Sequence, residues 1–272
     1  MVIAWWKFDL RSPAEAVEWA EGELANLTEA VGLAHERGLR QLTWLLPAAL
    51  WSFFLQQRHT EHWIATHETG RAGALAARDR AAEATVRNNL SIALLTVGRF
   101  AEAIPHLETC VAIRTALGGD ADVSAPLNNL GIASMEAGLP EKAVDVFQQV
   151  VDYSHKYGAV RKRAGAHANL GQLHLLLGGY AGSVAQCREA ERLYRQESLP
   201  DPDAQLAVTL NIMSEALQQC GEPERARRPA EESVAIRTAL CDRHGTAESL
   251  RQLGGVLRDL GDDPASARCR NC

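Results

Sequence analysis

Six asparagines carry the clearest chemistry in this sequence: Asn88 and Asn89, Asn128 and Asn129, Asn169, and Asn211. A primary amide donates through its NH2 group and accepts through its carbonyl oxygen. A row of such groups can pair with the N–H and C=O groups of an extended peptide. Asparagine is a mediocre helix former, so its return to one slot of a helical pattern argues for a use beyond helix formation. Ile92, Ile132 and Gln172 lie a turn further on and are placed to meet a ligand's side chains. The competing reading leaves these amides solvated or bonded to the adjacent helix.

Other candidate chemistry is weaker. His59, His62 and His67 cluster, but steps of three and five do not put all three rings on one helical face. No metal site is expected there. Cys269 and Cys272 form a lone C-x-x-C without the second pair of a zinc site or the strand–helix setting of a redox motif. Gly70-Arg71-Ala72-Gly73 lacks the lysine and spacing of a phosphate loop. No Ser-His-Asp constellation, G-x-S-x-G elbow or G-x-G-x-x-G is present. The expectation is therefore no catalytic residue, no metal, no cofactor and no enzyme.

Charge and composition narrow the partners. The net charge of −6 is a poor match for a non-specific nucleic-acid surface. The clusters Arg161-Lys162-Arg163 and Arg225 to Arg228 read as solvated helix faces and turns. The apolar window from Leu42 to Leu55 contains Pro47 and is too short to span a bilayer. The start Met1-Val2-Ile3-Ala4-Trp5-Trp6 does not read as a secretory signal, and the scattered cysteines read as reduced thiols, so a cytoplasmic protein is expected. All six tryptophans fall between Trp5 and Trp63; they read as core of the N-terminal part or as a contact surface for a preceding domain.

The asparagines are positioned by a repeat. Leu90, Leu130 and Leu170 recur every 40 residues, as do Gly98, Gly138 and Gly178, and Val111 to Leu117 returns unchanged as Val234 to Leu240. Such self-similarity means stacked helical units, none able to bury its apolar face alone. Each unit reads as helix A, a turn at the glycine, helix B and a link. Gly131, Gly171 and Gly254, with Ser91 and Ser214, provide the small residue where helix B crosses helix A. Phe100, Pro140, Tyr180 and Pro223 stand two residues after the turn glycine, and Ala103, Ala143, Ser183 and Ala226 let helix B approach helix A. Leu107, Phe147, Ile113, Tyr153, Leu193 and Ile236 fill the space between units. Residues 1–42 form a lead-in, with one helix from the Ser12 cap to about Glu36. The repeats then span about 43–80, 83–120, 123–160, 163–200 and 203–243, with a partial one over 246–272. The fifth slips by three residues, and in the first Arg58 stands where the turn glycine belongs.

Leu-Gly, then Gly-x-Phe/Tyr, then Ala resembles the tetratricopeptide repeat in a long form, over roughly residues 43–272. The resemblance implies an all-α, right-handed α-α superhelix of five to six repeats whose helices A line a concave groove. The residue before each leucine would face that groove, which places Asn89, Asn129 and Asn169 there, with Asn88, Asn128 and Asn211 beside them. Glu23-Leu24-Ala25-Asn26-Leu27, Trp44 to Leu50 and Asn88-Asn89-Leu90 resemble more narrowly the sensor region of bacterial NB-ARC (STAND-type) regulators, including AfsR/SARP-like transcription factors. That resemblance implies a regulatory arm gripping a peptide, a protein, or an NB-ARC nucleotide-binding domain in the same or another chain. The phosphate loop of those regulators is absent, so the chain would be a fragment, a truncated frame, or a stand-alone adaptor without nucleotide coupling.

Overall fold

A computed structural model of the chain describes residues 12–118, 123–196 and 204–261. Trp5, Trp6, the end of the partial last repeat and the Cys269-to-Cys272 tail lie outside the described residues. Among the described residues there are thirteen α-helices and no strand. The fold is an all-α helical repeat. The chain forms two compact units, Met1–Asn129 and Leu130–Cys272.

In the first unit, α1 (Pro13–Gly22) starts at the Ser12 cap, whose hydroxyl accepts the Glu15 N–H at 3.2 Å. The single lead-in helix expected from the sequence is in fact two, α1 and α2 (Leu24–Glu36), separated at Glu23 with φ −101° and ψ 7°. The backbone bonds Glu23 N–H to Trp19 C=O and Leu27 N–H to Glu23 C=O persist, so the chain bends there without losing its ladder. Gly22, which lacks a Cβ, loosens that turn. Helices α3 (Arg40–Gln57), α4 (Thr60–Ala77), α5 (Arg80–Thr96) and α6 (Phe100–Leu117) follow as two antiparallel pairs. Phe54 and Trp63 are fully buried between them, with Leu24, Leu50, Phe53, Ile64 and Ile92 packed around. Of the other described tryptophans, Trp19 and Trp44 are half-buried and Trp51 is exposed.

The first repeat reverses the rule for small residues. Trp51 occupies the small-residue slot of α3, and α4 supplies the clearance instead. A Cβ at Gly73 would lie 2.6 Å from Thr43 Cβ, and one at Gly70 would lie 2.8 Å from Pro47 Cγ. Arg58 takes the left-handed conformation at φ 60° that the turn requires, as Gly98 does at φ 74° in the next pair.

Helix α7 (Ser124–Glu136) carries the division between the units. The second unit continues with α8 (Pro140–Lys156), α9 (Val160–Leu176), α10 (Tyr180–Gln196), α11 (Ala204–Gln219), α12 (Pro223–Ala239) and α13 (Arg243–Asp259). The residues two places after each turn glycine, Phe100, Pro140, Tyr180 and Pro223, are the first residues of α6, α8, α10 and α12. Ala103, Ala143, Ser183 and Ala226 are all wholly buried. A Cβ at Gly131 would meet the Phe147 ring at 2.4 Å, and one at Gly171 would meet Cys187 Sγ at 2.6 Å, which is why helices A and B can cross so closely there. Leu107, Phe147, Ile113 and Leu193 are buried as expected, whereas Tyr153 and Ile236 are only half-buried.

Candidate peptide-binding surface

Helices α9, α11 and α13 occupy the A position, and α11 packs beside both of the others. Gln172 from α9 and Asn211 from α11 meet in one cleft of about 140 Å³. Val208, Ile212 and Glu215 of α11 and Glu248, Arg251 and Gln252 of α13 complete it, with Arg237 of α12 beneath. Ile212 and Gln252 are buried, so the floor is fixed, while Val208, Glu215 and Arg251 are exposed at the rim.

Arg237 explains how α13 sits. Its side chain is buried, and it reaches Asp242 Oδ2 at 3.2 Å and Glu248 Oε2 at 3.4 Å. Asp242 caps α13 by accepting the Gly245 N–H at 2.9 Å, and that bond holds its carboxyl below the usual range, assisted by Arg237. Gly245 is required because a Cβ there would overlap the guanidinium. Below these groups runs a buried polar seam. Ser233 bonds Ala207 C=O and Ser249 Oγ at 2.8 Å, Ser214 donates to Ala226 C=O at 2.9 Å, and Gln252 Nε2 donates to Gln218 Oε1 at 3.2 Å. The cleft thus offers side-chain amides, both charge signs and one apolar wall. Its lining holds no serine, cysteine, histidine or lysine.

Within the first unit, Asn88, Asn128 and Asn129 are half-buried and Asn89 is 8% exposed. Asn128, like Asn169 in the second unit, already makes an interaction within the protein. Ile92 packs beside Phe54 and Trp63, and Ile132 beside Phe147 and Leu170, so part of each belongs to a core. Once the three-residue slip is counted, Asn211 falls in the slot of Asn88 and Asn128. Asn88 and Asn211 also share a property: each has a buried Oδ1 with no partner. Glu215 is the counterpart of Ile92, Ile132 and Gln172, and sequence reading missed it because the slip hides the register.

The histidines are scattered in role. His59 pairs with Glu21 at 2.9 Å, and His67 is buried, its pKa pushed down to about 4 by desolvation. No cluster of metal-ligating side chains occurs among the described residues. A buried network was not visible in the sequence: Glu83 of α5 accepts from Arg80 at 2.7 Å and Arg87 at 2.8 Å, and Arg87 donates to His106 of α6 at 3.1 Å. Burial keeps His106 below the ordinary histidine range, which suits its acceptor role.

This pairing of antiparallel helices, with a glycine turn and a small residue at most crossings, is a helical-repeat fold. Tetratricopeptide repeat models match residues 82–156 and 206–244, so the chain carries tetratricopeptide repeats. Solved structures agree on the fold. The signal transduction ATPase (STAND) protein with a tetratricopeptide repeat sensor, PH0952 from Pyrococcus horikoshii, is 15% identical with a TM-score of 0.68; the match covers 93% of this chain but 40% of that one. The apo quorum sensor NprR from B. thuringiensis is 11% identical with a TM-score of 0.64, covering 94% of this chain and 75% of that one. BtubC (BKLC) from P. vanneervenii is 17% identical with a TM-score of 0.63, covering 81% and 93%. Comparison with curated protein sequences finds no match.

Proposed function

We propose that this chain is a non-catalytic scaffold that grips an extended peptide or protein segment along the faces of its A helices. The observation carrying this reading is the cleft where Gln172 and Asn211, singled out by the repeat register, come together with Gln252 over the buried Ile212. Amides in such a row match the alternating donors and acceptors of a peptide backbone, and Arg251 with Glu215 sets the preference for side chains. In this proposal Asn169 extends the row within the second unit, with Ile132 in that unit as a further contact, and Asn88, Asn89, Asn128 and Asn129 offer the same amides within the first, with Ile92 beside them. The solenoid begins near residue 43, with residues 1–42 as its lead-in.

More finely, we infer a cytoplasmic sensor arm of an NB-ARC-type transcriptional regulator; the long-form repeats and the Trp44-to-Leu50 text support it. The alternative is a stand-alone adaptor. A phosphate-loop sequence in the same reading frame upstream of Met1 separates the first from the second. Among the described residues no helix is long and apolar enough to cross a membrane.

The binding reading is tested with peptides selected from a displayed random library against the full chain. The double variants Asn129→Ala with Asn169→Ala, and Gln172→Ala with Asn211→Ala, are expected to weaken a selected peptide about tenfold or more, as loss of two amide contacts at about 0.5–1.5 kcal/mol each allows. Helicity and melting should be unchanged. Equal affinity in wild type and both variants would remove the amide row from the account.

A further inference from the structure

A cavity of about 340 Å³ opens between α10 and α12, with α11 as its floor, and it shares no lining residue with the amide cleft. The repeat register explains why it is there. At this crossing helix A and helix B each contribute one side chain, and the two lie 19 residues apart in the sequence. In α5 and α6 they are Arg87 and His106, which bond at 3.1 Å; in α9 and α10 they are His167 and Gln186, which bond at 2.7 Å. In α11 and α12 the same places hold Leu210 and Pro229, both buried and neither able to bond the other. A proline ring is compact and has no N–H to donate, so the volume that a longer side chain fills in those earlier pairs is open here. Met213 and Leu217, also buried, complete an apolar floor.

The walls are charged, and most of that charge is already spent. Arg195 of α10 holds Glu191 at 2.8 Å and reaches Glu232 of α12 at 2.7 Å, so both carboxylates have a partner. Arg225 pairs with Glu222. Arg188 of α10 and Arg228 of α12 have no ion pair or hydrogen bond among the described residues, and Glu224 is the one lining carboxylate in the same position. Two free guanidiniums, one from each wall, against one free carboxylate leave the cavity with an excess of positive charge. Guanidinium stays charged at any working pH and its N–H fork matches a carboxylate. The volume lies in the range of small-molecule sites, which combine an apolar lining with a few convergent polar groups.

We propose that this cavity binds a small carboxylate with an apolar body, the carboxylate between Arg188 and Arg228 and the body against Leu210, Met213 and Leu217. The site does not depend on the reading of the amide cleft.

Met213 makes the test direct. The sequence has three methionines, Met1, Met135 and Met213, so NMR of the full chain isotope-labelled at its methionine methyls gives three signals, of which the Met213 methyl belongs to the cavity. Met213→Leu assigns that signal by its loss. The probe is octanoate, titrated below the concentration at which it forms micelles, and octanamide is its uncharged counterpart. Octanoate should shift the Met213 methyl saturably and leave the other two in place. Octanamide should need an about tenfold higher concentration or more, since it lacks the charge. Arg188→Gln with Arg228→Gln, both at exposed positions, should raise the octanoate requirement about tenfold or more while helicity and melting stay unchanged. The proposal fails if octanoate leaves the Met213 methyl where it was, or if all three methyls move together as in detergent action. It also fails if octanamide acts at the same concentration as octanoate, or if the double variant responds as wild type does.

Discussion

Phe147→Ala is expected to destabilise the second unit by about 3–5 kcal/mol, the range for removing a buried aromatic ring. The ring is wholly buried with Ala143, Leu170 and Leu173, and close packing leaves these neighbours little freedom to collapse into the space it would vacate. The informative comparison is with Gly131→Ala. A methyl there would stand 2.4 Å from the Phe147 ring, and overpacking of this kind costs about 1–3 kcal/mol, partly offset by the roughly 1 kcal/mol by which alanine favours a helix over glycine. In the double variant the new methyl enters the space the ring has left. Urea unfolding of the four proteins should therefore give a double-variant loss smaller than the two single losses combined, with a coupling of about 1 kcal/mol or more. Strict additivity would mean that Gly131 is not kept small by Phe147.

The second large effect is acid sensitivity at His67. The ring is wholly buried on α4, its Nδ1 is 3.0 Å from the Trp63 carbonyl oxygen, and its Nε2 has no partner. The Nδ1–H donates to that carbonyl, and a proton on Nε2 would be buried without an acceptor. Desolvation therefore holds the pKa near 4, against an ordinary value of 6.5. The unfolded chain takes up this proton on falling below about pH 6.5, while the folded chain does not until about pH 4. Stability is thus complete above pH 6.5, declines as pH falls through that window, and levels off below the folded value. By about pH 4.5 the loss from this residue should be about 2–3 kcal/mol, since each tenfold difference in proton affinity between the folded and unfolded chain is worth about 1.4 kcal/mol. His67→Phe lacks the titration. Denaturant unfolding at about pH 7 and about pH 4.5 should show wild type losing that much more than the variant; equal losses would mean that His67 is charged in the fold.

The unevenness of what the sequence revealed has a physical basis. Gly98, Gly138, Gly178 and Gly221 announce left-handed turns because few other residues adopt that backbone readily, and each lies at such a turn. Gly131 and Gly171 announce close crossings because volume there is strictly limited. The first repeat hid its crossing, since Gly70 and Gly73 lie on α4 and do not follow the leucine of α3. The bend at Glu23 was invisible because its flanking segments are equally helical. In the candidate site, the register gave Gln172 and Asn211 separately but not their meeting, which depends on how α9 and α11 pack. Arg237 and Glu83 were missed because a buried charge is legible only through its partners, Asp242 and Glu248 for the first, Arg80 and Arg87 for the second.

Ligand bound along the A-helix face is open to site-specific photocrosslinking. A benzophenone amino acid is placed at Val208, exposed on the rim of the cleft, and in a second protein at Ala185, exposed on α10. Each full chain is irradiated with a library-selected peptide. A peptide adduct is expected from position 208, competed by excess unlabelled peptide, and none from position 185. An adduct from position 185 with none from position 208 would contradict it and move binding to the B helices.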